Sequence, residues 1–249
     1  MARGSGPVVA VIPARFASTR LPGKPLLAET GKTLIQHVWE AVRSCKDLDR
    51  VVVATDDDRI FQAVKAFGGE AVMTSPRHQT GTDRIAEAVR DIDCAKVVNV
   101  QGDEPEIEPA MISQLAGLLD QGAEMATLAT PFANPQDALL SSRVKVVIDR
   151  HHNALYFSRS RIPYSNGTGQ NPALLHLGLY AYTKAFLMRY VTLESTALEH
   201  AERLEQLRAL EHGYKIKVGI VKWSSTGGID TPEDYAAFVK RVKGEGVRT

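Results

Sequence analysis

A short basic loop directly after the first apolar segment carries the side chains best able to do chemistry. It holds Arg15, Arg20 and Lys24 within ten residues, together with Ser18 and Gly23. Guanidinium and ammonium groups spaced this closely bind phosphate oxygens through charge and hydrogen bonds. The loop contains neither GxxxxGK[ST] nor GxGxxG, so it is not a standard glycine-rich phosphate loop. We therefore predict a polyphosphate clamp; the plainer alternative is an ordinary basic surface loop.

Two acidic residues follow strand-like segments that lie far apart in the sequence. Asp103 is on a glycine turn after the apolar segment 96–100, and Asp230 follows Gly227 and Gly228. A carboxylate at the carboxyl end of a central strand is well placed to hold a metal ion, so Asp103 is predicted to be a metal ligand. Asp230 is either a simple turn residue or a residue next to a ligand, and the paired glycines favour the second interpretation.

A third polar segment, residues 74–84, is rich in hydroxyl groups and other hydrogen-bond donors and leads into a helix pattern. Its functional interpretation places these donors, including Arg84, near a nucleotide. Its plainer interpretation is a capped helix start, with Thr82 or Asp83 as the N-cap. The three consecutive aspartates at 56–58 are interpreted as capping residues, because acids in the first turn of a helix are stabilised by the helix dipole.

The hydrophobic pattern provides a scaffold that would bring these loops together. Apolar runs at 8–12, 50–55 and 96–100 alternate with amphipathic helix patterns, which is typical of a doubly wound, mostly parallel α/β sheet. After Pro135 the pattern changes to adjacent strands and helices. We predict a single domain over residues 1–249, in which about 135–213 form a smaller lobe for a second substrate and for dimer contact.

Composition excludes several classes of protein. The chain has 249 residues, is 44% hydrophobic and 24% charged, and carries a net charge of +1. This balance is unlike that of a general nucleic-acid binder or a membrane-surface protein. Cys45 and Cys94 are predicted to be buried free thiols. Because no segment has the pattern of a transmembrane span or a signal peptide, we expect a cytoplasmic protein with neither nucleic-acid nor membrane partners.

Motifs along nearly the whole chain resemble those of the CMP-Kdo synthetases, the 3-deoxy-manno-octulosonate cytidylyltransferases. Each motif alone is moderately specific, whereas the ordered set, from residue 8 to about residue 242, is highly specific. The motifs are IPARFASTRLPGKPL (12–26), TSPRHQTGTDRIAE (74–87), NVQGDEP (99–105), ALYFSRSRIPY (154–164), HLGLYAY (176–182), LEQLRALE (204–211) and GIDTPEDY (228–235).

The resemblance implies transfer of CMP from CTP to the anomeric hydroxyl of the sugar acid Kdo, releasing pyrophosphate, for lipopolysaccharide biosynthesis. It also implies a Rossmann-like, mostly parallel nucleotidyltransferase sheet flanked by helices, a smaller α/β sugar-binding lobe, and a homodimer. The implied nucleotide-binding residues are Ala14, Arg15, Ser18, Lys24, Ser75, Thr80, Gly81 and Arg84. The implied sugar-binding residues are Gln101, Arg159, His176, Tyr180, Glu205 and Gln206.

The family's Mg²⁺-binding acids match Asp103 and Asp230, which form the implied catalytic set together with Arg15 and Lys24. Mg²⁺ uses one or two protein carboxylates and takes its remaining ligands from phosphate and water, so two separate aspartates suit it. We expect in-line attack on the α-phosphorus of CTP. No side-chain base is evident, and metal-assisted deprotonation of the sugar hydroxyl is our hypothesis.

The chain departs from the family pattern on the implied sugar side. Arg161 stands where a proline is expected, and the polar loop 165–171 matches no family segment. The alternative acceptors are therefore the 8-amino analogue of Kdo and a sialic-acid-like sugar acid. Two further alternatives are a cytidylyltransferase for a phosphorylated alcohol and a catalytically silent nucleotide-binding module. The presence of Lys24, Asp103 and Asp230 disfavours the silent module.

Overall fold

The structure is a computed structural model that describes residues 6–17, 20–164, 173–222 and 228–244. The chain divides into two compact units. Unit I comprises Pro7–Cys94, Asn99–Ile112 and Ser225–Thr249, and unit II comprises Met1–Gly6, Ala95–Val98 and Ser113–Ser224. The predicted smaller lobe, 135–213, falls wholly within unit II.

Unit I contains the parallel strands β1 (Val8–Ala14), β2 (Arg50–Thr55) and β3 (Glu70–Met73). Their order is β3-β2-β1, with Val9 opposite Arg50 and Val52 opposite Glu70. Val9, Val11 and Ile12 of β1 and Val52 and Val53 of β2 have no exposed surface, as expected of parallel strands that are covered on both faces. The parallel α/β arrangement predicted for the first part of the chain is confirmed here.

Four helices complete unit I: α1 (Leu34–Arg43), α2 (Asp58–Ala66), α3 (Gly81–Ala88) and α8 (Pro232–Val242). Thr33 and Thr231, each before an apolar helical pattern, and the aspartates at 56–58 are predicted as N-caps, and the structure confirms three of these helix starts. The side chains of Thr33, Asp57 and Thr231 accept hydrogen bonds from the first turns of α1, α2 and α8. Such caps satisfy amide groups that have no partner within the helix and contribute about 1 kcal/mol each.

Helix α3 corrects a prediction. Its N-cap is Thr80, and not Thr82 or Asp83. The Thr80 hydroxyl accepts a hydrogen bond from the Asp83 amide at 3.1 Å and donates one to the Asp83 carboxylate at 2.9 Å. Thr82 and Asp83 already lie within the first helical turn, where their amides need a cap instead of providing one.

Unit II combines parallel and antiparallel strands. Strand β4 (Lys96–Asn99), of which Asn99 belongs to unit I, is followed by β5 (Met125–Pro131), β6 (Lys145–Ile148), β7 (Ala154–Ser158), β8 (Leu174–Thr183) and β9 (Lys217–Ile220). The order is β4-β8-β5-β9, and β6 pairs with β7 and β8. The β5–β9 pair is parallel, whereas β5–β8 and β6–β7 are antiparallel.

Helices α4 (Pro109–Asp120), α5 (Lys184–Tyr190), α6 (Ala197–Glu202) and α7 (Leu207–Glu211) follow in the chain, and α4 crosses from unit I into unit II. The apolar spacing over residues 198–212 predicts one continuous helix, and this prediction is wrong. Arg203 adopts a left-handed conformation (φ 53°, ψ 49°) and ends α6. The apolar spacing alone does not reveal this break, because the buried Leu204 and Leu207, three positions apart as on a helix, follow it directly.

A hydrophobic cluster in unit I packs the start of α1 against α8 and the loop between β1 and α1. Its members are Leu21, Leu34, Ile229, Tyr235, Phe238 and Val239, with Leu27 packed against them. Complete burial of one such side chain is worth about 1.5–3 kcal/mol. The cluster therefore fixes the basic loop and the Asp230 segment against one another.

Two predictions from composition can be compared directly with the structure. Cys45 and Cys94 are buried free thiols, as predicted. Among the helices of the described residues, none combines the length and the apolar character needed to cross a membrane.

Candidate active site

A tight turn after β4 places Asp103 beside the carboxyl end of β1. The Val100 amide donates a hydrogen bond to Val11 O at 3.1 Å, which extends the pairing to the residues just before the turn. A Cβ atom on Gly102 would lie only 2.8 Å from Pro13 O. Only glycine permits this close approach without a backbone shift, so Gly102 fixes the position of Asp103.

Lys24 lies at the centre of the site. It opens a 3₁₀ turn (Lys24–Leu26) after Gly23, whose left-handed φ of 66° turns the chain inward. The Lys24 ammonium donates to Asp103 Oδ2 at 2.7 Å and to Ile229 O at 2.7 Å, and lies 3.4 Å from Asp230 Oδ1. With 14% of its side chain exposed, this ammonium joins two acids that are 127 positions apart in the sequence (230 minus 103).

The start of helix α8 holds Asp230. The amides of Asp230 and Thr231 both donate to Asp234 Oδ2, at 3.1 and 2.9 Å. The Ile229 amide donates to Asp103 O at 2.9 Å, which connects the two acidic segments. An Arg20 guanidinium nitrogen lies 3.0 Å from Asp230 Oδ1, although both side chains are substantially exposed.

The two aspartates suit a hard divalent cation. They place carboxylate oxygens around a single ammonium group, which stands where a cation is stabilised by both acids. Among the described residues there is no cluster of three or more histidine, cysteine or acidic side chains able to hold a metal ion. A pair of carboxylates is nevertheless the protein share that Mg²⁺ uses when phosphate and water complete its shell.

Glu104 lies beside the two aspartates of this site. Burial is the largest cause that raises its pKa to about 7, and the neighbouring carboxylates of Asp103 and Asp230 contribute to the same rise. Like charges at close range disfavour ionisation of one another. Glu104 is not among the residues predicted from the sequence, although its position next to Asp103 after a buried strand is a signal for it.

Residues of β1 and the loop after it lie next to this site. Ala14 is the last residue of β1, is 2% exposed and pairs with Thr55. Arg15 follows it, and its Nη2 atom is buried without a hydrogen-bond partner among the described residues. A buried guanidinium nitrogen with no partner costs free energy unless an anion binds it. Ser18 lies outside the described residues.

Arg84 occupies an unexpected position. Its side chain is fully buried, and it donates to Thr74 Oγ1 at 2.5 Å and to Asp56 Oδ2 at 2.6 Å. This conformation therefore makes Arg84 an internal connection between the ends of β2 and β3, and not an open ligand contact. The interpretation of all three aspartates at 56–58 as helix caps overlooks this role of Asp56, because Asp57 is the N-cap of α2.

The loop before α3 is held by Glu87. The Ser75 amide donates to Glu87 Oε2 at 2.9 Å, and the His78 ring contacts the same carboxylate. The hydrogen bond from Ser75 holds the pKa of Glu87 below its usual range, despite some burial. Thr80 caps α3, and Gly81 begins it. The predicted nucleotide-binding loop is thus ordered by bonds within unit I.

In unit II, His176 and Tyr180 lie on β8. The His176 ring packs edge-on against Phe157, with 4.9 Å between ring centroids, and its Nε2 lies 3.1 Å from Thr127 Oγ1. Burial lowers the pKa of His176 to about 3, so the ring is neutral near pH 7. Burial also raises the pKa of the Tyr180 phenol well above its ordinary value. Both side chains therefore offer uncharged hydrogen-bonding groups.

Arg159 and Gln206 also lie in unit II. The Arg159 guanidinium donates to three backbone carbonyls, those of Ser141, Glu202 and Arg203. Gln206 is 5% exposed, and its Nε2 is buried without a partner among the described residues. Glu205 is adjacent and partly buried, and its carbonyl accepts a hydrogen bond from Tyr190 at 2.7 Å.

The predicted site residues thus fall into two groups. Lys24, Asp103 and Asp230 meet directly in unit I, which also contains Arg15, the 75–84 loop and Gln101. Gln101 lies just before the Asp103 turn and donates to Asn99 Oδ1 at 3.4 Å. The other residues predicted to bind the sugar lie in unit II: Arg159, His176, Tyr180, Glu205 and Gln206.

Comparison with known proteins places this geometry in context. Residues 9–216 match the family model described as cytidylyltransferase. A relative from Shewanella frigidimarina (strain NCIMB 400), named 8-amino-3,8-dideoxy-manno-octulosonate cytidylyltransferase, is 48% identical over 233 residues. The match covers 91% of this chain and 95% of the relative. A Shewanella woodyi (strain ATCC 51908 / MS32) relative of the same name is 47% identical over the same shares.

A solved structure shows that the similarity to cytidylyltransferases extends to the fold. CMP:2-keto-3-deoxy-manno-octonic acid synthetase in complex with CTP aligns with a TM-score of 0.91 at 41% identity, covering 96% of this chain and 100% of that protein. A cytidylyltransferase from Leptospira borgpetersenii serovar Hardjo-bovis (strain JB197), with a TM-score of 0.65 and 19% identity, shares the fold. The resemblance predicted from the motifs is confirmed. This chain belongs to the cytidylyltransferase family and is a nucleotidyltransferase.

Proposed function

We propose that this enzyme transfers CMP from CTP to the anomeric hydroxyl of 8-amino-3,8-dideoxy-manno-octulosonate, releasing pyrophosphate. The observation that carries the choice of acceptor is the 48% identity, over nearly the full length of both chains, to a relative named for that sugar. Kdo is the second candidate, because the structural relative at 41% identity is named for the sugar without the amino group. The motifs alone favour Kdo as the acceptor and the 8-amino sugar as the alternative, so the proposed acceptor differs from that expectation.

The acceptor oxygen attacks the α-phosphorus in line with the bond to the β-phosphate oxygen. That bond breaks, pyrophosphate leaves, and the hydroxyl proton is released. Negative charge develops on the pyrophosphate, so preorganised cations nearby stabilise the transition state. Lys24 and Arg15 supply that charge: Lys24 is held within hydrogen-bond distance of two carboxylates, and Arg15 presents a buried guanidinium nitrogen that lacks a protein partner.

Mg²⁺ is the proposed cofactor, and Asp103 and Asp230 would hold it. When bound, it would neutralise phosphate charge and polarise the α-phosphate. The support for this assignment is the convergence of the two carboxylates on one ammonium group, 2.7 and 3.4 Å away. The roles of the neighbouring residues follow from their contacts: Asp234 orients Asp230, and Gly102 allows Asp103 to approach β1.

Arg84 acts on the nucleotide side as a positioning residue in this proposal. Its fully buried guanidinium joins Asp56 to Thr74, directly before the 75–81 loop. Ser75 and Thr80 order the same loop, through Glu87 and the cap of α3. The nucleotide would therefore meet a loop whose shape is set before binding, which reduces the entropy lost on association.

Unit II supplies the acceptor-binding groups. Arginine has five N–H donors, and three nitrogens of Arg159 each donate to a carbonyl, so the group keeps its full charge and further donors for a carboxylate. The Gln206 amide and the neutral His176 ring suit sugar hydroxyl groups. A sugar acid needs both kinds of partner, one for the carboxylate and several for the hydroxyl groups.

A homodimer formed through unit II is also part of the proposal. Five large apolar side chains of its described residues are exposed: Leu139 at 57%, Leu140 at 50%, Leu155 at 61%, Tyr164 at 91% and Leu198 at 39%. Apolar surface left exposed in one subunit is available for contact with a second copy of the chain. Light scattering after size exclusion should give twice the 27.2 kDa chain mass; a monomer at working concentration would contradict this part of the proposal.

Pyrophosphate release tests the reaction. The enzyme is incubated with CTP, ATP, GTP or UTP, each with 8-amino-Kdo, Kdo or N-acetylneuraminic acid, with Mg²⁺ or with EDTA. We expect release with CTP, Mg²⁺ and the eight-carbon acids, with the highest kcat/KM for the 8-amino sugar. Phosphorus NMR should detect a CMP phosphodiester product. Higher kcat/KM for Kdo would replace the acceptor, and release without any acceptor would refute the transfer reaction.

A further inference from the structure

Glu202 connects the end of helix α6 to the segment that follows strand β7. Its carboxylate accepts a hydrogen bond from Ser158 Oγ at 2.5 Å and another from the Arg159 amide at 2.9 Å. The Tyr156 hydroxyl donates to the same carboxylate at 3.5 Å. Two side-chain hydroxyl groups and one backbone amide, from residues at the end of β7 and directly after it, thus donate to a single carboxylate.

The backbone of the same residue holds the Arg159 side chain. Glu202 O accepts from Arg159 Nε at 2.8 Å, and Arg203 O accepts from Nη2 at 3.3 Å. Arg203 can present its carbonyl in this way because it adopts the left-handed conformation that ends α6. A non-glycine residue in that conformation costs about 1 kcal/mol, so compensating contacts must maintain it.

Arg159 is fixed from a second direction by a buried cation. Lys145, with no exposed surface, donates to Leu140 O at 3.0 Å and also to Arg159 O. Burial lowers the pKa of Lys145. Both backbone polar groups of Arg159 are therefore bonded, the amide to Glu202 and the carbonyl to Lys145.

Glu202 does not form a close ion pair with the Arg159 guanidinium. Its carboxylate is occupied by Ser158, Tyr156 and the Arg159 amide, and only its carbonyl contacts the guanidinium. Burial raises the pKa of Glu202, but the hydrogen bonds from Ser158 and Arg159 outweigh it and keep the pKa below its usual range. Glu202 thus orients Arg159, and its carboxylate does not occupy the guanidinium N–H groups that a carboxylate ligand would need.

We propose that Glu202 is a positioning residue for the acceptor, which fixes the Arg159 guanidinium in the orientation that binds the carboxylate of the sugar acid. This inference rests on the proposed function, in which Arg159 contacts that carboxylate. Displacement of a binding group by about 1 Å is enough to lower efficiency by about 100-fold. Loss of Glu202 should therefore act on the acceptor and leave the nucleotide side, in unit I, unchanged.

Steady-state kinetics of Glu202→Ala and Glu202→Gln test the inference. We expect Glu202→Ala to raise the KM for the acceptor about 10- to 100-fold, with the KM for CTP within twofold of wild type. Glutamine can accept from the Arg159 amide and donate to Ser158 Oγ, so Glu202→Gln should recover most of the acceptor affinity. An unchanged acceptor KM in Glu202→Ala, or an equal rise in both KM values, would overturn the inference.

Glu211→Ala is the matched control. Glu211 is exposed, and its carboxylate accepts from the Leu198 amide at 2.8 Å, so it supports the same helix α6 away from Arg159. It should leave both KM values unchanged. If Glu202→Ala does not fold, Ser158→Ala, which removes one of the Glu202 hydrogen bonds, should raise the acceptor KM in the same direction; no rise would refute the role of Glu202.

A double-variant cycle separates the two proposals. If Glu202 acts through Arg159, Glu202→Ala should add nothing to the acceptor KM of Arg159→Met. Additive effects would refute positioning through Arg159, even if the transferase activity is established. A wild-type enzyme that releases no pyrophosphate with any sugar acid would instead refute the proposed function, and with it the acceptor role of both residues.

Discussion

Lys24→Met isolates the central charge of the unit I site. Methionine is of similar length but carries no charge and donates no hydrogen bond. The substitution removes the contacts with Asp103 Oδ2 at 2.7 Å, Ile229 O at 2.7 Å and Asp230 Oδ1 at 3.4 Å. Two carboxylates that share one cation are then left without it, while Arg20 remains 3.0 Å from Asp230.

The expected loss of activity follows from the type of group removed. One preorganised group that stabilises transition-state charge contributes about 10²–10³ in kcat, or about 2.7–4 kcal/mol. Lys24 has only 14% of its side chain exposed, so solvent screens it weakly and the upper part of that range applies. We therefore expect kcat to fall by about 10³-fold, with a smaller change in the KM for the acceptor.

The same variant should bind divalent cations more tightly in the absence of nucleotide. A unit positive charge repels a divalent one by roughly 2 kcal/mol at 4 Å, even in water, which corresponds to about 30-fold in affinity. In the free enzyme the Lys24 ammonium is bonded to the acids proposed to hold the metal. Its removal should therefore lower the dissociation constant for Mn²⁺ by at least about 10-fold.

Paired measurements decide between these effects. Pyrophosphate release gives kcat, and titration calorimetry or electron paramagnetic resonance gives Mn²⁺ affinity without substrate. Lys32→Met is the matched control: it also breaks a 2.7 Å lysine–carboxylate pair, with Glu40, but on an exposed surface. Unchanged kcat in Lys24→Met would refute the phosphate role, and unchanged or weaker Mn²⁺ binding would refute the assignment of Asp103 and Asp230 as metal ligands.

Three further substitutions probe the remaining contacts. Asp230→Asn should lower Mg²⁺-dependent kcat by at least about 100-fold with little change in Tm, as measured by pyrophosphate release and calorimetry. Arg84→Met should lower the free energy of unfolding by about 3 kcal/mol in urea titration, because it leaves Asp56 without its buried partner; Arg84→Met combined with Asp56→Asn should lose less. His176→Gln should remove a pH dependence of stability. Because burial lowers the pKa of His176 to about 3, the wild type loses up to about 1.4 kcal/mol per pH unit as pH falls from about 6 to 4, when only the unfolded chain takes up this proton; an equal slope in the variant would contradict the burial argument.

Sequence patterns were sufficient for the parallel strands and the central acids of unit I. Buried β-branched runs identify β1 and β2, and the carboxyl ends of parallel strands share one edge. Lys24 and Asp103 follow such strands, so their meeting could be predicted from topology. The assignment of Asp230 as a metal ligand rests on the family resemblance, because the paired glycines favour only a position next to a ligand and do not indicate a metal.

Other features depend on contacts that spacing does not encode. Asp56 was taken as one of three capping acids, although Arg84, 28 positions later, is its partner. Thr80 instead of Thr82 caps α3, because the chain leaves its extended conformation two residues earlier. The break at Arg203 arises where its carbonyl and that of Glu202 meet the Arg159 guanidinium. For Asp56 and Arg203, a partner distant in sequence overrides the local preference.

The ion pairs of unit I explain how a chain with a net charge of +1 can bind a polyphosphate. In the free enzyme, Lys24 and Arg20 are paired with Asp103 and Asp230, so the site is nearly neutral. A triphosphate arriving alone would draw the cations away and leave two carboxylates uncompensated. A triphosphate with a divalent cation compensates both, because phosphate oxygens attract the cationic side chains while the metal attracts the acids. If Asp103 and Asp230 hold the metal as proposed, the arrangement couples nucleotide affinity to the divalent cation, and thermodynamic linkage requires each to increase the affinity for the other by the same factor.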